Sequence, residues 1–176
     1  MHVLLIGLRC SGKTTVGRLL AQRLGHGFID LDDRTAEVLN SPSPADALSS
    51  HGEPAFREAE STALRDALAT PSPTVIALGG GTPTAPGATA MILDAQGARR
   101  AVVVYLRAPA DILTQRFRNT NAESRPALTP AGTLDEVPTL FAQRDPLYRR
   151  LADRIMDATQ PTESIVEQLT PPQRRC

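Results

Sequence analysis

Residues 7–14 read Gly-Leu-Arg-Cys-Ser-Gly-Lys-Thr, and an apolar run, Val3-Leu4-Leu5-Ile6, leads straight into them. A buried strand, a glycine-bounded loop and a helix opening at Lys13-Thr14-Thr15-Val16 leave few folds open. In this arrangement successive backbone N–H groups point inward and wrap a phosphate chain. Lys13 then reaches the β- and γ-phosphates, and the Thr14 hydroxyl ligates Mg²⁺. The pattern, in this context, predicts a chain that binds a nucleoside triphosphate or descends from one that did.

Apolar, β-rich runs alternate with helical patterns along the rest of the chain. Strands are expected at His2–Ile6, Gly27–Asp30, Thr74–Leu78, Ala101–Arg107 and Arg154–Asp157. Ser43-Pro44-Ala45-Asp46 offers an N-cap, a proline at N1 and an acid in the first turn. Glu53-Pro54-Ala55-Phe56 opens a longer helix to about Leu68, Pro109 and Asp111 begin another, and Thr133-Leu134-Asp135-Glu136 is a capping box. A short amphipathic helix starts at Thr162-Glu163. Strands alternating with helices predict an α/β fold, a parallel sheet covered on both faces. At 176 residues the chain is long enough for one domain with a good core. Two segments, 79–87 and 119–132, are rich in glycine, proline and polar residues, and loops of this length are often lids or binding loops.

Charge narrows the partners. Lys+Arg and Asp+Glu both count 19, so no net charge draws the chain to nucleic acid or an anionic membrane. Lys13 is the only lysine. Coding bias accounts for most of the arginine excess, although arginine also favours bidentate contact with carboxylates and phosphates. No apolar stretch approaches a membrane span, and the first residues do not resemble a signal peptide. Cys10 and Cys176 are not placed as a structural staple, so a reducing cytoplasm is the expected location, and neutral charge with a self-contained core makes a monomer the expected state.

The chemistry-bearing residues are weaker one by one. Asp30, Asp32 and Asp33 stand at the carboxyl end of the second strand, the ligand-binding edge of an open α/β sheet. If the strand persists, alternation puts Asp30 and Asp32 on one side. One could then serve the Mg²⁺ shell and the other a substrate hydroxyl. A helix N-cap accounts for Asp32 or Asp33 equally well but not for Asp30. Gly79-Gly80-Gly81 lets backbone approach a ligand closely, or is a plain tight turn. Arg57, Arg125 and Arg144 stand out, yet any arginine is more often a solvated surface residue. His2, His26 and His51 show no metal or triad spacing, and Cys10 reads as a small tolerated side chain.

Taken in order, five elements resemble the shikimate kinase family from Val3 to about Gln160: the phosphate loop, Phe28-Ile-Asp-Leu-Asp32, Gly52-Glu-Pro-Ala-Phe-Arg57-Glu-Ala-Glu60, Leu78-Gly-Gly-Gly81, and Arg125-Pro followed by Arg144-Asp-Pro-Leu-Tyr148. The resemblance implies a P-loop three-layer αβα sandwich with a five-stranded parallel sheet, as in nucleoside-monophosphate kinases. It implies a substrate-binding helical region at about 31–61 and a mobile lid at about 117–132 within a single domain, 1–176. The implied reaction is phosphorylation of the shikimate 3-hydroxyl by ATP with Mg²⁺. ATP would be held by Cys10, Ser11, Gly12, Lys13, Thr14 and Thr15, with Arg116, Arg125 and Gln160. Asp30 would hold the metal's water shell, and Asp32 would bind the shikimate hydroxyls and orient or deprotonate the 3-hydroxyl. Arg57 and Arg144 would grip the carboxylate, Gly80 would offer its backbone, and Glu60 would position the arginines. Lys13, Asp32 and Arg125 form the expected catalytic set.

The chain departs from the family pattern in three places. Cys10 replaces a usual glycine, the lid is a few residues longer, and Gln160 stands where arginine is common. A gluconate-type kinase also uses a phosphate loop and a lid. A non-catalytic module binding ATP or shikimate is the alternative from another class.

Overall fold

A computed structural model describes residues 1–119 and 136–170. Five strands, β1 (His2–Ile6), β2 (Gly27–Asp30), β3 (Thr74–Ala77), β4 (Ala101–Arg107) and β5 (Arg154–Asp157), form one sheet in the order β2-β3-β1-β4-β5. Every pairing is parallel. Parallel neighbours need crossover connections, so the strands alternate with helices. These are α1 (Lys13–Leu24), α2 (Leu31–Val38), α3 (Pro44–Leu68), α4 (Ala88–Gly97), α5 (Ala110–Asn119), α6 (Glu136–Leu151) and α7 (Thr162–Leu169). The strands fall where the apolar runs predict, except that β3 stops one residue short of Leu78. Its N–H still bonds the Leu5 carbonyl at 3.0 Å, which carries the pairing to the edge of the sheet.

β1 is the middle strand, in register with β4 from His2↔Ala101 to Ile6↔Tyr105 and with β3 through Val3↔Val75. Leu4, Leu5 and Ile6 are fully buried, as a strand flanked and covered on all sides must be. Its carboxyl end therefore opens at the centre of the sheet, between β3 and β4, where a doubly wound sheet leaves a crevice. α1 begins there. Its N-cap is Gly12 in the left-handed region, so no side chain caps the first turn. The far end closes with Gly25 at φ 65° and the His26 N–H on the Ala21 carbonyl at 2.9 Å.

β2 ends at Asp30, and the chain turns at once into α2. The Asp30 carboxylate accepts from the Asp32 N–H at 3.2 Å and is the N-cap of that helix. This corrects two sequence expectations. The strand does not persist to Asp32, so alternation cannot align the two acids, and the capping residue is the one the capping account left out. Ser43 caps α3 as expected, accepting from the Asp46 N–H at 3.1 Å. Gly52, at φ 78° and ψ 166°, breaks α3 where the second of two expected helices begins. Only glycine takes that conformation at little cost.

Ala36, Ala47 and Phe56 form a small core apart from the main one, with Leu39 and Leu48 against it, and this clamps α2 to α3. α4 has no sequence signal at its start because its N-cap is Gly87 in the left-handed region, with no capping side chain. The expected loop 79–87 contains one 3₁₀ turn, Thr82–Thr84. Of the expected lid, residues 117–119 are the last turn of α5; residues 120–132 lie outside the described residues, as do Cys176 and most of the capping box at 133–136. Among the described residues no helix is long and apolar enough to cross a membrane.

Phe56→Ala empties the centre of the small core. The expected cost is about 3 kcal/mol, read as a lower urea midpoint with an unchanged slope.

Candidate active site

A cavity of about 710 Å³ opens at the carboxyl edge of the sheet, and nearly every element that ends there contributes to it. Cys10, Ser11, Gly12, Lys13, Thr14 and Thr15 line one side. Asp30, Asp32, Arg57, Gly80, Arg116, Arg144 and Gln160 line the rest. The sequence candidates thus share one cavity, except Arg125, which lies outside the described residues.

The phosphate side is built from backbone. Lys13 Nζ donates to the carbonyls of Gly7 and Leu8, each at 2.9 Å, which folds the side chain across its own loop. Cys10 sits at φ 63°, a left-handed conformation that costs a residue with a Cβ about 1 kcal/mol. That is a physical reason for glycine at this position. The Cys10 carbonyl accepts from Arg116 at 3.5 Å, and Arg116 also donates to the Ala158 carbonyl at 2.8 Å. Arg116 therefore joins α5 to the loop and to the segment after β5. On that segment the Gln160 side chain accepts from Gln168 at 2.8 Å. Thr14 Oγ1 donates to Asp30 Oδ2 at 2.7 Å, so the cap of α2 is also bonded to the first turn of α1. Burial, with the Asp30 charge close by, raises the pKa of the neighbouring Asp33.

The opposite side is organised by a buried carboxylate. Glu60, only 1% exposed, accepts from Arg57 at 2.6 Å through Oε2 and from Thr82 Oγ1 at 2.8 Å through Oε1. Glu53 takes the other arm of Arg57 at 3.1 Å. Burial pulls the Arg57 pKa down, but the two carboxylates outweigh it and hold the guanidinium above its ordinary value. The glycine run threads between these groups. A Cβ at Gly79 would strike the carboxylates of Asp32 and Glu60 and the Thr82 hydroxyl, and one at Gly81 would strike the Arg57 guanidinium. Close approach, more than turn geometry, demands glycine here.

At Gly80 the carbonyl accepts from Arg144 at 2.8 Å and from the Tyr148 hydroxyl. Tyr148 is fully buried and packs edge-on against Tyr105, with ring centroids 5.3 Å apart. Thr82 and Tyr148 are the residues around the site to which sequence reasoning attached no role. For Tyr148 a signal existed: it lies four residues beyond Arg144, on the same helix face. For Thr82 there was none.

Charge is divided across the cavity. Loop amides and Lys13 suit a chain of phosphates, the guanidinium groups of Arg57 and Arg144 suit a carboxylate, and Asp32 adjoins both sides through Asp30 and Gly79. Fold and cavity together define a class, the P-loop kinases that phosphorylate a small acceptor. Within that class the family model described as shikimate kinase matches residues 9–171, and the chain belongs to the shikimate kinase family. Shikimate kinase 2 of Yersinia enterocolitica is 37% identical over 168 residues, 95% of this chain and 92% of that protein. The solved structure of Acinetobacter baumannii shikimate kinase in complex with shikimate superposes with a TM-score of 0.82 at 27% identity, over 96% of this chain and 89% of that one. A gluconokinase from Sinorhizobium meliloti shares the fold alone, with a TM-score of 0.59 at 18% identity over 95% of this chain and 87% of its own.

Burial raises the Tyr148 pKa from its ordinary 10.0 to about 12. The folded chain keeps the phenolic proton that the unfolded chain loses near pH 10. The resulting stabilisation is intact below about pH 10 and disappears as the pH rises through 12. Urea midpoints taken from pH 8 to 11.5 should fall above pH 10, and Tyr148→Phe should flatten that fall.

Proposed function

We propose that this chain transfers the γ-phosphoryl group of ATP to the 3-hydroxyl of shikimate, giving shikimate 3-phosphate and ADP. The observation that carries this reading is the acid-binding side of the cavity. In a member of this family, Arg57 is held by a buried Glu60 and Arg144 is tied to the glycine turn, across from a phosphate loop. Two guanidinium groups suit a ring carboxylate, which leaves the ring hydroxyls toward Asp32.

In-line phosphoryl transfer needs positioning and charge stabilisation more than covalent chemistry. The amides of Cys10 to Thr15 wrap the β- and γ-phosphates, and Lys13 exchanges its loop carbonyls for phosphate oxygens. Arg116 and Gln160 border the nucleoside end. Asp32 accepts a hydrogen bond from the 3-hydroxyl, orients it and takes its proton as the new P–O bond forms. Arg57 and Arg144 fix the acceptor so that this oxygen lies in line. As the family resemblance implies, Arg125 completes the set on the transferring group, from the expected lid at about 117–132 of a single domain, 1–176, whose substrate-binding region is expected at about 31–61.

Mg²⁺ fits the residues present. Thr14 Oγ1 and the Asp30 carboxylate meet at 2.7 Å on the phosphate side, a pair of hard oxygen donors. Among the described residues no group of three His, Cys, Asp or Glu forms a cage. Such a site suits an ion that draws most of its ligands from phosphate and water. Thr14 would bind it directly and Asp30 through water, and when bound it would neutralise charge on the phosphates. The protein works as a cytoplasmic monomer.

A coupled assay of ADP release checks this. Turnover should depend on shikimate, fail with gluconate, and fall at least about 100-fold in kcat in Asp32→Asn. Turnover with gluconate and none with shikimate would overturn the acceptor assignment.

A further inference from the structure

We propose that Tyr148 is a positioning residue for the acid-binding side, acting on Arg144 through the carbonyl they share at Gly80. The inference rests on the shikimate reading above and adds to it a residue that touches neither substrate.

A carbonyl oxygen has two lone pairs. At Gly80 one accepts from Arg144 at 2.8 Å and the other from the Tyr148 hydroxyl. Gly80 is the middle of three glycines, the stretch of backbone that resists peptide rotation least. Two donors from one helix, one turn apart on α6, supply the restraint that side chains do not. The tether also matters to the phosphate loop, because a Cβ at Gly80 would lie only 3.3 Å from the Arg9 nitrogen. A drifting Gly80 peptide would carry the anchor of Arg144 with it.

The ring of Tyr148 does not depend on that hydrogen bond for its own place. It is fully buried and packs edge-on against Tyr105. The Tyr105 hydroxyl donates to Asp145 at 2.8 Å, and Asp145 also accepts from Arg107 at 2.8 Å and Arg149 at 2.7 Å. The bonds from Tyr105 and Arg107 fasten α6 to β4 at Asp145, the residue after Arg144. Removing the Tyr148 hydroxyl therefore leaves the packing and takes away the tether. A mere core tyrosine would lose stability and nothing else.

Steady-state kinetics of Tyr148→Phe, with each substrate varied, separates the two roles. The expected result is a KM for shikimate raised about 5- to 20-fold, the worth of one hydrogen bond to a group left partly unpaired, with kcat and the KM for ATP within about twofold of wild type. Tyr105→Phe is the control. It removes a hydroxyl of the same kind from the same aromatic pair but leaves Gly80 fully engaged, and it should keep the shikimate KM within about twofold while costing comparable thermal stability. An unchanged shikimate KM in Tyr148→Phe overturns the proposal, and so does an equal rise in both KM values or an equal effect of Tyr105→Phe. Wild-type protein that does not phosphorylate shikimate overturns the acceptor assignment instead, a different and distinguishable failure.

Discussion

Everything on the acid-binding side hangs on one carboxylate. Glu60 is 1% exposed and bonds Arg57, one turn away on its own helix, and Thr82 beyond β3. A carboxylate so deeply buried persists as a charge only where it is paired and hydrogen-bonded, and here both oxygens are engaged. The bond to Thr82 brings the glycine run against α3, and Gly79 then fits between Glu60 and Asp32 with no room for a side chain. Arg57 and the glycine turn are thus placed by a single buried ion pair and its hydroxyl partner, with Asp32 close against Gly79. The conformational entropy of the Arg57 side chain is already lost before any acid arrives, which favours binding.

The phosphate side follows a different logic. It depends on where β1 ends and less on side-chain pairing. Because β1 lies between β3 and β4, its last residue delivers the loop to the middle of the sheet edge, and α1 points its uncapped first turn at the same place. The two sides meet through Asp30, which caps α2 and accepts from Thr14. One carboxylate therefore links the helix that carries Lys13 to the helix that carries Asp32. Arg116 makes the corresponding link from α5, through the Cys10 carbonyl. The strained backbone at Cys10 is held in a loop anchored from both directions.

Much of this was legible in the residues. All five strands were, because continuous apolar runs such as Val102–Leu106 have no other use in an α/β chain of this length. Ser43-Pro44 announced α3, and Glu53-Pro54 announced the part of it beyond the break at Gly52. What escaped notice shared a cause: features set by backbone alone or by tertiary contact. α4 starts from a left-handed glycine without a capping side chain, so no start signal exists to read. Asp30 was not read as a cap because nothing local shows that a helix begins directly where the strand ends. Thr82 reaches Glu60 across 22 residues, a distance that carries no sequence pattern, and Tyr148, 68 residues from Gly80, is marked only by its spacing from Arg144. The glycine run was noticed for its freedom, whereas its positions are required by what crowds against them.

On the proposed function, the buried Arg57–Glu60 ion pair organises acceptor binding independently of the nucleotide. Glu60→Gln tests it most directly, since the substitution keeps the size, leaves one amide oxygen to accept from Arg57 and an NH₂ group that can donate to Thr82, and removes the charge that holds Arg57. The measurement is the shikimate and ATP dependence of ADP release by that variant. The account predicts a KM for shikimate raised at least about tenfold, with the KM for ATP within about twofold of wild type. A shikimate KM that does not move, or KM values that rise together, would contradict it.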